Sequence, residues 1–524
     1  MGQNPSHPGQ KKGLVTVMEL ELQQSPLGGW ETVCRTTLEQ EETAEAIVPD
    51  ARPDIWQVLD GQARLLLQRK EAQEGRGEVA GLLKVTVLYQ PEGGEGVETM
   101  EVTLPFSAAP DLPKLTRRGA LHAVPRVLSV DVHLLNPRKV LVRVGYSLEL
   151  EAFQPQNRAL TAGVADPGPW GICQKTGRLR TLQTAWVQEK AFTYQDTLTL
   201  PAGRPAAAEL LSFRARCTCA EARVIGSKLV FKGEAVVHLL CRGEDGAVFA
   251  EDFPLPYSQI MDAGEGSEEG LCHMDLAFTE ATCTPEEGDG RTFQVTLALL
   301  AQAVLRRGVE AELLNDLYST TQALETQASP RPVCRLLDQG EAPENGRVTV
   351  AAPGLSGRLL GVRLSLGRLT QSQEGEDAVL TQEVEASVLY ETEEGPAGAS
   401  QRGTVQHRLP GQGGALCLAR VELLREPGAA PAGEEVEVSF SLLFQWLCLE
   451  QGEVPAIDQV QVGEKLESAG RQPSVVLRAV HPGEDLWAVA KACRTTEDAI
   501  LAASGLESGE VAPGQMLLIP CKSR

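Results

Sequence analysis

Twelve cysteines and seven histidines are the side chains of this 524-residue sequence best suited to metal ligation or nucleophilic chemistry. The cysteines stand at 34, 173, 217, 219, 241, 272, 283, 334, 417, 448, 493 and 521. No two form a CxxC pair, and the irregular spacing argues against a disulfide framework. The simplest reading is a reducing compartment in which cysteines pack as small apolar residues. Cys217-Thr218-Cys219 puts two sulfurs on one face of a strand, and Cys272-His273 would complete a zinc set. Zinc knuckles use more widely spaced cysteine pairs, so strand packing is preferred and no metal site is expected. The histidines (7, 122, 133, 238, 273, 407 and 481) accompany no Cys or Ser motif. There is no phosphate loop, no GxSxG elbow and no HExxH helix. Acidic pairs such as Glu41-Glu42 and Glu268-Glu269 are expected to lie in polar turns. A glycosidase needs carboxylates fixed across a cleft. No enzyme activity, catalytic residue or cofactor is therefore expected.

The elements that carry these residues read as β. KVTVLY, MEVTLPF, LSVDVHLL and VLVRVGYSLELEA alternate apolar and polar residues with period two. Gly-rich acidic turns separate them, as in PEGGEG (91–96), GEDG (243–246) and ETEEGPAG (391–398). IVPDARPDIWQVLD, in the stretch 40–70, reads as an extended proline-broken segment followed by a short helix or turn.

The pattern repeats. GLLKVTVLY (81–89), GEAVVHLLC (233–241) and QEVEASVLY (382–390) correspond. So do Leu104-Pro105, Leu255-Pro256 and Leu409-Pro410, then GALHAV (119–124), GLCHMD (270–275) and GALCLA (414–419). KVLVRVGYSLELEAF (139–153), TFQVTLALLAQAVL (292–305) and VEVSFSLLFQWLCL (436–449) close the three units. The repeat is about 150 residues, the size of a tandem domain. The expected fold is mainly β: three tandem β-sandwich or barrel-like units at 30–154, 171–320 and 331–450. A partly disordered arm is expected at 1–29. Pro- and Gly-rich linkers are expected at 155–170, 322–346 and 451–474.

Net charge is -23, from 71 acidic and 48 basic residues. That excludes a chain whose main work is neutralising nucleic-acid phosphates, and it disfavours docking on anionic lipid by charge alone. Residues 1–17 carry Lys11 and Lys12 but no apolar stretch, so no secretory leader is expected. No run of about 18 apolar residues suggests a transmembrane helix.

Residues 475–522 read differently, as a small βααβ module. VVLRAV is a strand and His481-Pro482-Gly483 a turn. Leu486, Val489, Ala490 and Cys493 fall on one helical face. Thr495 or Thr496 caps a second helix, and MLLIP (516–520) closes the module. Val480, Pro482-Gly483, Leu486-Trp487, Ala490, Leu501, Leu506, Pro513-Gly514-Gln515, Leu517, Ile519 and Pro520 resemble a LysM domain. The resemblance implies a face that binds N-acetylglucosamine-containing glycans such as peptidoglycan, or a protein. Carried over by position, that face is Gly483, Glu484, Asp485, Leu486, Trp487, Ser504, Gly505 and Leu506. Glu484-Asp485 and Ser504 replace the family's usual Asp-Thr and Asn, which favours protein docking over sugar recognition. Trp487 is expected to be partly exposed in the groove or to anchor a partner.

The repeats in turn resemble the SPOCS domain, on Pro53-Asp54-Ile55, GLLKVTVLY, Leu104-Pro105-Phe106 and KVLVRVGYSLELEA. Three such units followed by one LysM module resemble the SipL-like family of spore morphogenesis proteins. That resemblance implies a scaffold in the mother-cell cytoplasm, held at the forespore surface. Its partners there would be a SpoIVA-like coat-basement ATPase and other coat proteins.

Overall fold

A computed structural model describes residues 18–94, 96–264, 270–466 and 474–520. Residues 1–17 of the expected arm, Glu268-Glu269, 467–473 of the expected third linker, and Cys521 lie outside the described residues.

A short strand, β1 (Met18–Glu19), precedes three units of the same plan. The first has β2 (Leu22–Ile47), β3 (Ile55–Gln73), β4 (Arg76–Pro91), β5 (Glu98–Ala108), β6 (Ala120–Asn136) and β7 (Lys139–Val164). The second has β8 (Ile172–Thr199), β9 (Ala207–Ile225), β10 (Lys228–Gly243), β11 (Val248–Asp262), β12 (Leu271–Pro285) and β13 (Thr292–Ser319). The third has β14 (Gln322–Ala351), β15 (Leu355–Glu374), β16 (Asp377–Thr392) and β17 (Gly395–Leu409). It continues with β18 (Leu416–Leu423), β19 (Gly428–Ala432) and β20 (Glu435–Lys465). The first strands begin at Leu22, Ile172 and Gln322, so the repeat of about 150 residues is structural as well as sequential.

Each unit is two-layered. Its middle strands form a three-stranded meander (β3-β4-β5, β9-β10-β11 and β15-β16-β17). Its first strand pairs antiparallel with its last, β2 with β7, β8 with β13 and β14 with β20. Period-two patterning decides which face is buried. Along β7, Val140, Val142, Val144, Tyr146, Leu148, Leu150 and Ala152 are all buried. They meet Leu83, Val85, Val87 and Phe106 of the meander in one core. Val436, Val438, Phe440, Leu442 and Phe444 do the same in unit three.

The long strands overturn the expected linkers. Residues 155–164 belong to β7, 322–346 to β14 and 451–465 to β20. Of the prolines that suggested tethers, Pro155, Pro330 and Pro455 sit inside strand ribbons, with Pro330 opposite Pro455 and Pro155 opposite Trp30, while Pro167 and Pro169 lie between β7 and β8. A ribbon strand has one edge free of ladder bonds, and proline is tolerated there. Residues 22–29 of the expected arm likewise pair in β2. Ile55–Gln73, expected to open with a helix or turn, is a strand.

The three units close into a ring. Arg64 Nη1 donates to Phe213 O at 2.7 Å, Arg214 Nη2 to Val362 O at 3.3 Å, and Arg363 Nη2 to Gly61 O at 3.3 Å. These arginines stand about 150 residues apart, so each unit grips the next and the third grips the first. Leu59 and Leu88, Leu211 and Leu240, and Leu360 and Leu389 of the three meanders share one small core on the ring axis. The ribbons also converge. Leu160, Leu313 and Ala456, one from each, pack together. Units one and two share a six-stranded sheet through the bridge between Trp30 and Thr184. Gly29 permits this approach, because a Cβ there would lie 2.5 Å from the Thr184 carbonyl oxygen. β1 pairs with β20 and ties the beginning of the described chain to the third unit.

Candidate functional site

Beyond the ring come β21 (Val475–Ala479), α1 (Leu486–Cys493), α2 (Glu497–Ser504) and β22 (Met516–Pro520). Asp485 caps α1 by accepting from Ala488 N at 2.8 Å. Thr496, not Thr495, caps α2 through Ala499 N. Gly505 ends α2 in the left-handed region, where glycine carries no Cβ penalty. Val480, Leu486, Val489, Ala490, Ile500, Leu517 and Ile519 form the core beneath both helices.

That core is completed from unit two. Tyr318 and Cys173, at the far ends of β13 and β8, pack into it. The Tyr318 ring meets Trp487 edge-on at 4.9 Å, and its hydroxyl donates to Thr495 O at 2.7 Å. Trp487 Nε1 donates to Asp316 Oδ2 at 2.8 Å, and Lys491 Nζ lies 2.7 Å from both Asp316 oxygens. Burial pulls the Asp316 carboxyl upward, but the bonds from Lys491 and Trp487 outweigh it and hold the group below its ordinary range. Lys175 Nζ, from β8, reaches Asp485 Oδ2 at 2.8 Å. That bond, with the one from Ala488 N, holds the Asp485 carboxyl low.

Residues 480–520 match the family model of the LysM domain. LysM modules bind glycans, so carbohydrate recognition is within the reach of this part of the chain. No curated protein matches the chain.

The structure sorts the eight predicted face residues into three groups. Gly483, Glu484, Asp485, Gly505 and Leu506 lie in the two loops at one end of the LysM module, with Ser504 at the end of α2 beside them. Leu486 is core. Trp487 is neither in the groove nor free, because its ring is buried against unit two. Most of the polar side chains are also engaged inside the protein. Glu484 accepts from Arg478 Nη2 at 2.8 Å and from His481 N at 3.0 Å. Ser504 Oγ accepts from Leu518 N at 2.9 Å. Sequence reading missed Asp316, Tyr318 and Lys175. Each sits in a strand that the repeat pattern already explains, and no local signal marks it.

A second polar cluster lies where the three units meet. His122 and His273 place Nε2 atoms 3.1 and 3.3 Å from Asp275 Oδ2, while Arg420 pairs with Asp275 Oδ1. Burial pushes the Asp275 carboxyl up, and Arg420 and the two histidines more than reverse this, holding it well below its usual range. Nearby, Arg306 of unit two is 2.9 Å from Glu151 Oε1 of unit one, which Arg35 also contacts. Burial again opposes ionisation, but the two guanidiniums hold Glu151 at about 2. These groups border a cavity of about 390 Å³. His273 thus turns to Asp275, while its neighbour Cys272 packs with Cys217 and Cys219 against the core of unit two. Successive strand residues face opposite ways, so Cys272 and His273 do not converge on one ion.

Proposed function

We propose that the chain is a non-enzymatic scaffold of spore-envelope assembly, in which a closed ring of three β units presents one LysM module to a protein partner. The reading combines the clamped module described above with the resemblance of the repeats to SPOCS domains. On that resemblance the partner is the SpoIVA-like coat-basement ATPase, with other coat proteins around it. The site of action is the forespore surface, reached from the mother-cell cytoplasm.

One observation carries the preference for protein over sugar. Glu484, Asp485 and Ser504 already spend their polar atoms on Arg478, Lys175, Leu518 and local backbone. Sugar hydroxyls need unspent, well-placed partners. Apolar side chains are on offer instead. Val475, Leu477, Met516 and Leu518 are exposed on the outer face of the β21-β22 pair, while Leu517 and Ile519 between them are buried. The second reading is binding of N-acetylglucosamine-containing glycans, supported by the family match and by loops that remain open to solvent.

Two measurements on the full chain separate them. Retention of the purified coat-basement ATPase on immobilised protein is the expected result. Co-sedimentation with purified peptidoglycan, without ATPase retention, would replace the first reading by the second. Neither form of binding would retire both.

A further inference from the structure

Two thiols of unit three face each other. β18 and β20 run antiparallel, with Cys417 directly opposite Cys448. Their Sγ atoms are 2.8 Å apart, inside ordinary sulfur contact and outside the bonded length of about 2.05 Å. Both cysteines are free. Cys448 is wholly enclosed, whereas Cys417 keeps a small exposed surface and lines the cavity at the junction of the three units. The direct cross-strand register holds the two Cβ atoms side by side, so bond formation needs only a small rotation of each side chain.

We propose that Cys417 and Cys448 are an oxidative modification site, which a small peroxide entering the junction cavity converts into a cross-strand disulfide. Cys417 reacts first. Its thiol gives up a proton, the thiolate sulfur attacks one oxygen of hydrogen peroxide and the O–O bond breaks, leaving a sulfenic acid and a hydroxide that takes up that proton as one water. Cys448 sulfur then attacks Cys417 sulfur. The S–S bond forms, the S–O bond breaks, and the hydroxyl leaves with the Cys448 proton as a second water. Two thiols lose two electrons and one peroxide gains them. The order follows access, since the cavity touches Cys417 and the protein encloses Cys448. Burial raises both thiols above their ordinary range, so the reaction is slow and selects for sustained oxidant. The product staples β18 to β20 beside the break between β18 and β19, where units one and two carry an unbroken strand.

The test uses the full, reduced chain treated with hydrogen peroxide and mapped by non-reducing peptide mass spectrometry. The expected product is a linked pair of peptides carrying Cys417 and Cys448, about 2 Da lighter than their sum and separated by dithiothreitol. Cys448→Ser should leave a Cys417 sulfenic acid that dimedone traps, and Cys417→Ser should leave Cys448 reduced. Wild-type mapping stands alone if either variant folds poorly. Recovery of both residues as free thiols while other cysteines oxidise would overturn the proposal. So would a persistent Cys417 sulfenic acid beside reduced Cys448 in the wild-type chain.

Discussion

At the scale of single residues, Trp487 separates what sequence can say from what it cannot. An indole one position after Leu486, a residue of the LysM-like pattern, invites the reading of a groove residue. Its partner Asp316 lies 171 positions away, and nothing near Trp487 announces it. The buried ring and its bond give a sharp expectation. Trp487→Ala should destabilise the docked module by about 3–5 kcal/mol, the usual range for emptying a large aromatic site. Trp487→Phe, which keeps most of the ring but leaves Asp316 short of a donor, should cost about 1–2 kcal/mol. Amide hydrogen exchange is the readout. Exchange should speed up across α1 and α2 and stay unchanged in β4, β10 and β16. Equal acceleration in the ring strands would show that Trp487 supports more than the docking.

At the scale of elements, the strands were the legible part and their lengths were not. Alternation from Val140 to Ala152 told which face was buried, and the structure buries those residues. The alternation decays in 155–164, 322–346 and 451–465, because a ribbon shared among three units buries isolated residues such as Leu160 and Ala456 rather than a whole face. Prolines then dominate the local signal. The inter-unit arginines were equally hidden, since an arginine in a half-exposed strand looks like any solvated charge. Arg363 shows their weight. It reaches Asp60 Oδ1 at 2.8 Å, Gly61 O and Ser387 Oγ, joining unit three to unit one. Arg363→Ala strands a largely buried carboxylate and should cost about 3–5 kcal/mol. Adding Asp60→Ala should recover part of that loss, because no unpaired charge remains. Urea unfolding of the single and double variants measures both, and equal losses would show that the pair itself carries little.

For the whole molecule, the junction of the units predicts how acid acts. Glu151 is held at about 2 by Arg306 and Arg35, below the value of 4.5 it takes when unfolded. A carboxyl lowered in the folded state stabilises it fully above the unfolded value, and that contribution disappears as pH falls from about 4.5 toward about 2. Burial and Arg420 hold His273 below its ordinary 6.5. Protonating it therefore also favours the unfolded chain, beginning as pH falls through about 6.5. The melting temperature should decline gently from neutral pH and steeply below pH 4.5 or so. Glu151→Gln should melt lower at pH 7 and lose the part of the acid slope that belongs to Glu151. An unchanged slope in that variant would move the acid sensitivity to other groups.

Writing three β units into one chain has a further consequence, which concerns valency. A ring assembled from three separate copies of one unit would carry three identical docking positions and three modules. Among the described residues, Asp316, Tyr318 and Lys175 at the ribbon end of unit two hold one module. The described part of this threefold platform thus bears one address. On the proposed reading a partner meets it one contact at a time, and avidity comes from arraying whole molecules rather than from the molecule itself.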